Sequence, residues 1–342
     1  MANYVPANLK TAQAKLLGKF QSSELRFRNP ATFLEFVRQS AIMFPNYSEL
    51  RTREDRVVET NFKARTSRAL GTGGRTFNHT GVKGDSAILT PSWTSYDDKF
   101  NMSLKQADNS IYSAQEQFEN EIENVIANFA GGLEDAAVNY AFNNRSQVNG
   151  DTTEGTFNGT DFVYEIDEAT KGGRAVQITK SVMDNLAYRM GLVVFCDTIA
   201  FNKFEELAAQ GAQNSTNFSF QFNGVRFVKS LGLGSLFGGL ASAYSKGSWV
   251  VCEEGSLASL PWIPKQNVEG TSTKEQDYGS ILNPIDNLNY AIHSYSQRAN
   301  DVANNGYTQD EVTQYEISID IALSHAPLTT ANETVLQAFA LV

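Results

Sequence analysis

The sequence predicts an α+β protein built from more than one structural unit, and three observations carry this prediction. Apolar residues recur at helical spacing from residue 110 to 144, which predicts one long helix. Residues 175–300 alternate between helix-like and strand-like stretches, and "YEISIDIALS" near the end alternates apolar and polar residues. With 342 residues, 41% of them hydrophobic, the chain can fill the cores of about two or three domains.

The N-terminal region is predicted to hold two helices. Residues 7–20 are loosely amphipathic and predict a short arm helix. Residues 31–44 show a stronger amphipathic pattern, which Pro45 ends because proline cannot continue a helix.

A long polar hairpin is predicted next, from about residue 51 to 105. Its tip, "ARTSRALGTGGRTFNHTGVKGD" (64–85), has five glycines and four fixed positive charges but little to bury. The return arm alternates at period 2 and places Phe100, Met102 and Leu104 on one side. A hairpin of this length and polarity is marginal alone, so we expect its apolar face to contact another surface.

The longest helix and the mixed region follow. The helix would be about 50 Å long, and Gly131-Gly132 could bend it. Beyond it we predict a helix at 181–190, a buried strand at "LVVFCD", a helix at "TIAFNKFEELAAQ" and a strand at "SWVVCEE". Asn223-Gly224 predicts a tight hairpin, because this dipeptide favours the two-residue turn.

The charge is distributed unevenly along the chain. The net charge is −10, yet residues 1–85 contain 14 of the 28 basic and 7 of the 38 acidic residues, a balance of +7, which leaves −17 for the rest. A basic N-terminal region could bind nucleic acid or dock on the acidic body of an identical neighbour. We favour docking, since phosphate binding depends on net cationic surface. For Arg65, Arg68 and Arg75 we prefer intersubunit salt bridges to phosphate binding.

A search for catalytic chemistry finds no motif. The histidines His79, His293 and His325 have no second ligand at metal spacing, and zinc, calcium-loop, Walker A and nucleophile-elbow patterns are absent, so we predict no metal, no cofactor and no enzymatic activity. Cys196 and Cys252 lie in apolar runs and are expected to be buried free thiols.

Two weak sequence signals could indicate ligand binding, but we prefer an interpretation without a ligand for both. The acidic loop with Asp151, Glu154 and Asp161 could hold a cation but is better explained as a solvated loop. "GLGSLF" (232–237) begins like a dinucleotide-binding fingerprint, but Phe237 replaces its third glycine, and we expect a flexible loop there.

The order of these elements resembles tailed-bacteriophage major capsid proteins of the Hong Kong 97 type. The stretches "VVFCDTIAFNKFEELAAQGAQNSTNFSFQFNGVRFVKS" and "EEGSLASLPWIPKQN" read like the axial domain of that family, and "YEISIDIALSHAPL" like its closing strand. The resemblance implies the following division of the chain: an N-terminal arm at 1–50, an E-loop β-hairpin at 51–107, a peripheral domain with the spine helix at 108–180, an axial domain at 181–300, and a C-terminal strand returning to the domain junction at 301–342.

The resemblance also implies a function. The chain would assemble with itself, as hexamers and pentamers, into the icosahedral head of a tailed dsDNA phage, and would be part of the virion after assembly in the host bacterial cytoplasm. It would enclose DNA without sequence-specific binding and contact no membrane. Separate scaffolding, portal and head-decoration proteins would assist. The E-loop would lie across the adjacent subunit, which makes the following residues the expected intersubunit contacts: Arg65, Arg68, Arg75, Lys83, Phe100 and Met102.

Three alternatives remain open at this level. An encapsulin-like nanocompartment shell would use the same fold, but its chains are usually shorter. A carboxylate-based hydrolase would need paired acids in a cleft, and no spacing in the sequence points to a pair. A phage tail-tube protein would not need the long helix.

Overall fold

The computed structural model describes residues 4–44, 47, 60–63, 86–103, 112–152, 154–188, 191–208, 219–222, 224–273, 276–297, 312–328 and 330–342. Its helices are α1 (Tyr4–Gln21), α2 (Ala31–Met43), α3 (Ala114–Asn143), α4 (Glu168–Lys171), α5 (Ala175–Asn185), α6 (Thr198–Ala208), α7 (Leu233–Leu240) and α8 (Lys265–Glu269). Its strands are β1 (Thr60–Lys63), β2 (Ser86–Leu89), β3 (Thr94–Ser103), β4 (Thr156–Asn158), β5 (Val163–Ile166), β6 (Leu192–Cys196), β7 (Ser219–Phe222), β8 (Val225–Lys229), β9 (Ser248–Glu253), β10 (Leu257–Trp262), β11 (Gln276–Leu282), β12 (Asn289–Gln297), β13 (Val312–His325) and β14 (Gln337–Leu341). The predicted α+β class is confirmed.

The long helix α3 begins at a capping box. The Ser113 hydroxyl accepts a hydrogen bond from the Glu116 N–H, and the Glu116 carboxylate accepts one from the Ser113 N–H, so both exposed donors are satisfied. The helix has 30 residues and continues through Gly131 and Gly132. Its length is therefore about 45 Å, close to the prediction.

One face of α3 covers a five-stranded antiparallel sheet. The strand β13 lies inside this sheet and pairs with β3 on one side and with β12 and β10 on the other, while β11 pairs with β12. Ile122 and Ile126 of the helix are buried in the same apolar core as Ile317 and Ile319 of β13. The helix and this strand therefore pack against each other.

The N-terminal helix α1 packs against α3 and against β11 of the sheet. Helix α1 buries Leu9 and Leu16, and its Lys15 and Lys19 pair with Glu119 and Glu123 of α3. These are partly exposed pairs, so the apolar contacts supply most of the stabilisation.

Helix α2 lies along the open edge of β10 and satisfies its backbone. The Gln39 side-chain oxygen accepts hydrogen bonds from the N–H groups of Gly255 and Leu257, and the Ser40 hydroxyl accepts one from the Ser259 N–H at 2.8 Å. An uncovered strand edge would expose unpaired donors. The polar residues of α2 therefore replace a neighbouring strand.

Replacing Ser40 by alanine is expected to lower the free energy of unfolding by roughly 1–3 kcal/mol, because the buried Ser259 N–H loses its acceptor. Ser22→Ala is the matched control: the Ser22 hydroxyl bonds only the exposed Lys19 carbonyl, and its removal should change stability by less than about 0.5 kcal/mol. Urea unfolding measures both. Equal losses in the two variants would contradict a role for Ser40 at the strand edge.

The second large sheet has seven strands in the order β4-β5-β14-β9-β6-β8-β7. The pairs β6–β8 and β5–β14 are parallel, and the other pairs are antiparallel. Strand β6 is buried along its whole length. The predicted hairpin at Asn223-Gly224 is confirmed as β7–β8, and Cys196 and Cys252 are free and buried, as expected.

Each of the two large sheets combines strands from more than one of the predicted segments. Strands β10–β12, predicted within the axial domain, pair in the sheet under α3. Strands β4 and β5, predicted in the peripheral domain, belong to the seven-stranded sheet, as does β14, which follows the predicted closing strand. Strand pairing depends on residues distant in sequence, which contiguous boundaries cannot represent.

The expected flexible loop at "GLGSLF" is also wrong. Residues 233–240 form α7, which begins after Gly232 in a left-handed conformation with φ +99°. Glycine suits this position because it carries no Cβ. Leu233 and Phe237, one turn apart, are both buried, so packing rather than flexibility determines this segment.

Candidate assembly surface

The structure describes the base of the predicted hairpin. Strands β1 and β2 pair antiparallel, with Thr60 opposite Leu89 and Lys63 opposite Ser86. The intervening tip, with four of the six expected contact residues, lies outside the described residues: Arg65, Arg68, Arg75 and Lys83. Their intersubunit role stays a prediction.

A small apolar cluster holds the base of the hairpin on the body. Its buried members are Met43, Phe44, Ala258, Leu260 and Ala322, and Tyr47, Leu89 and Trp93 pack against them. We call this cluster the hairpin anchor. Because Leu89 is the last residue of β2, the anchor determines where the hairpin leaves the body of the protein.

Within the described part of the hairpin, Ile88 is an exposed apolar residue that sequence reasoning missed. It lies opposite Asn61 on β1, and 62% of its surface is exposed. The sequence offers only one signal: successive side chains of a strand point to opposite faces, so Ile88 and Leu89 in "SAIL" cannot both face the body. Ile88 is a candidate contact with another chain.

Phe100 and Met102, by contrast, pack within their own chain. Strand β3 pairs with β13 along ten residues, and the Phe100 ring stacks on Tyr315 with a centroid distance of 4.9 Å and lies 6.0 Å from Phe118. Met102 is partly buried against the same core. The return arm does contact an apolar surface, but that surface is the subunit's own core, so neither residue needs a neighbour to cover it.

Several basic side chains of the N-terminal region likewise form ion pairs with acidic residues of the same chain. Besides the two lysines of α1, Arg28 pairs with Asp135 at 2.7 Å, and Arg38 pairs with Glu35 and Glu254. The uneven charge that predicted docking on a neighbour therefore also fastens the arm to its own body.

The acidic loop at residues 149–161 is not simply solvated. Asp151 is buried, and its carboxylate accepts hydrogen bonds from the Asn185 amide at 2.6 Å and the Tyr164 hydroxyl at 3.2 Å. These donors make Asp151 a structural residue that ties the loop to β5 and α5. The solvated-loop interpretation is wrong for this residue, because tertiary donors replace water.

Two carboxylates meet at Tyr244. Its hydroxyl lies 2.9 Å from Asp161 and 2.8 Å from Glu165, and the Asn158 amide donates to Glu165 at 2.9 Å. Burial and the two carboxylates raise the pKa of Tyr244. The acids are thus occupied by protein donors that join the β4–β5 hairpin to the turn at residues 242–246.

Other reactive groups also have structural surroundings. Burial raises the pKa of the Cys196 and Cys252 thiols and lowers that of His325, whose Nδ1 lies 2.8 Å from the Tyr140 hydroxyl. A thiol with a raised pKa is a poor nucleophile. Among the residues that the structure describes, no group of three or more metal-binding side chains occurs.

Within the described ranges, no helix combines the length and the apolarity that crossing a membrane requires. A small cavity between α5, α6 and the seven-stranded sheet is lined mainly by apolar side chains, including Val194, Phe227 and Trp249. Its lining includes no carboxylate pair, so it does not supply the acid and base that a hydrolase needs.

Solved structures provide a comparison for the fold. A chain in the capsid asymmetric unit of cyanophage A-1(L) aligns with 92% of this chain and 93% of its own length, at a TM-score of 0.52 and 8% identity. The capsid of cyanophage Pam1 aligns with 86% of this chain and 87% of its own, at 0.47 and 11%. No protein-family model and no curated protein matches the sequence. At such low identity, the A-1(L) alignment establishes similarity of fold over nearly the whole chain.

Proposed function

We propose that this chain, which has the Hong Kong 97-type fold of tailed-phage capsid proteins, is a major capsid protein. Many copies would assemble as hexamers and pentamers into an icosahedral head that encloses dsDNA. The observation that carries this proposal is the alignment with the A-1(L) capsid chain over 92% of the present chain. Because the match extends over 92% of this chain and 93% of the other rather than over one common motif, it supports a role for the whole chain.

The hairpin is the proposed intersubunit element. Its base is fixed on the body by the hairpin anchor, while 62% of the Ile88 surface is exposed. The arginines Arg65, Arg68 and Arg75, with Lys83, would meet carboxylates of the adjacent subunit, whose residues 86–342 have a balance of −17. An element that makes its contacts in a neighbour needs no core of its own, which accounts for the polar tip.

The remaining parts of the proposal follow from this role. The acidic balance of the body disfavours adsorption of DNA, since phosphate binding depends on cationic surface, so DNA would be enclosed without specific binding. The subunit would be structural rather than enzymatic. Separate scaffolding, portal and decoration proteins would complete a virion assembled in the bacterial cytoplasm.

Electron microscopy tests the proposal. The full chain, expressed in bacteria and concentrated, is expected to form shells or rings of five and six subunits visible by negative stain. Sedimentation should show the same species. A chain that remains monomeric at every concentration and hydrolyses model glycosides would instead support the hydrolase. Shells that purify with protein cargo rather than nucleic acid would support a nanocompartment.

A further inference from the structure

Three segments of the chain meet at Glu134, in the C-terminal half of α3. They are the start of α2, the helix α3 itself, and Ser230, which follows β8. The side chain of Glu134 is completely buried, with 0% exposure. A carboxylate in such a place must be satisfied by specific donors, because burial without them is very costly.

The donors come from the N-terminus of α2. The Thr32 N–H donates to Glu134 Oε2 at 2.8 Å, the Phe33 N–H donates to the same oxygen at 3.2 Å, and the Thr32 hydroxyl donates to Oε1 at 2.7 Å. The Ser230 hydroxyl lies 2.6 Å from that of Thr32. The residue before α2 is Pro30, which offers no capping side chain. Glu134 therefore caps α2 from another helix, where the free N–H groups favour an acceptor.

No cation forms an ion pair with Glu134 among the side chains that the structure describes. Arg28 is directed instead to Asp135, at 2.7 Å, and to the carbonyl of Leu231. Among the described residues, hydrogen bonds hold the carboxylate, and Arg28 adds an electrostatic effect without an ion pair. Burial raises the pKa of Glu134 to about 7, against the opposing effects of the Thr32 and Phe33 hydrogen bonds and of Arg28.

The other charged groups on the packed elements are engaged elsewhere. Glu35 of α2 pairs with Arg38 and with Arg226 of β8. Lys229 of β8 lies over the Phe201 ring, and Asp197 caps α6 through the Ala200 N–H. Helix α7, also beside α3, has no charged residue. A change of protonation at Glu134 would therefore not be compensated by an existing partner.

We propose that Glu134 is a proton-linked latch, which holds Thr32 and Phe33, at the start of α2, against α3 and holds them more tightly when it is protonated. Opening the junction would expose Glu134 to water and return it to its ordinary acidity. The closed state therefore binds a proton more strongly than the open state, and opening becomes easier as the pH rises from about 4.5 to about 7. Above this range opening no longer depends on the pH. The latch concerns the single chain and does not require assembly.

Hydrogen exchange tests this inference. In the dilute full chain, exchange at Thr32 and Phe33, corrected for the intrinsic effect of pH, should show opening that is roughly 30-fold more favourable at pH 8 than at pH 5.5. Glu134→Gln keeps an acceptor for the cap but cannot ionise, and its opening should not change with pH. Asp135→Asn is the matched control: it removes an exposed carboxylate at the next position and should retain the wild-type dependence.

A pH-independent wild type, or a Glu134→Gln variant with the wild-type dependence, would overturn the latch. If Glu134→Gln does not fold, a pH titration of the wild-type chain replaces it, in which NMR follows the chemical shift of the Glu134 carboxyl carbon. A midpoint near 7 would support the inference, and a midpoint below 5 would refute it.

Discussion

Replacing Arg65, Arg68 and Arg75 together by glutamate is expected to give a folded, soluble subunit that forms no shells. Each proposed contact of these arginines with a neighbour's carboxylates would become repulsive. An exposed ion pair is worth only about 0–1 kcal/mol, but a closed shell repeats the contact at every interface, so small losses raise the concentration needed for assembly steeply. Folding should be unaffected, because surface charge changes usually alter stability by less than about 0.5 kcal/mol.

The matched control changes the same amount of charge elsewhere. Lys99, Arg174 and Lys265 are exposed on the body, and their combined replacement by glutamate should still permit assembly. Circular dichroism and negative-stain microscopy compare the two triple variants. Normal shells from the hairpin variant would show that the tip makes no charge-dependent contact. Loss of assembly in both variants would point to net charge rather than to the hairpin.

Ile126→Ala is expected to lower the free energy of unfolding by roughly 2–5 kcal/mol. Ile126 lies on α3 with 0% exposure, in the core that it shares with Ile317 and Ile319 of β13. Truncation would remove buried methyl and methylene groups and leave a cavity that a rigid helix over a sheet cannot easily close. Since domains are stable by only about 5–15 kcal/mol, the variant should be aggregation-prone or molten.

Ile88→Ala is the same substitution on the exposed hairpin and serves as the control. Because most of the Ile88 side chain contacts water, its truncation should change the stability of the isolated subunit by less than about 0.5 kcal/mol. Denaturant unfolding of both variants measures the contrast. If the Ile126→Ala protein were as stable as the Ile88→Ala protein, the result would contradict a place for α3 in the core.

The sequence by itself determined most of the local structure. The apolar stripe of α3, the alternation of β13 and the turn at Asn223-Gly224 were predicted, and the structure has all three. Gly224 adopts φ +76°, the conformation that this dipeptide favours. Such features depend on side chains within a few positions of one another, so their pattern is readable along the chain.

Only the tertiary structure decided which strands share a sheet and which chain covers a given side chain. Strand β14 was not predicted, and its five residues are buried between β5 and β9. The alternation that placed Phe100 on an apolar face was correct, but it could not tell whether that face met a neighbour or, as found, Tyr315 of the same chain. Periodicity predicts that a face is covered, whereas its partner depends on long-range pairing.

Glu134 is a single residue for which the sequence indicates burial but not the groups that surround it. Ala130 and Val138, one turn before and after it, are both buried, which was a readable sign that Glu134 faces the interior. Its role was not readable, because its donors lie 102 and 101 residues away, at Thr32 and Phe33. The acidity of a carboxylate depends on the donors, charges and solvent around it in space, and these are assembled only when the chain folds.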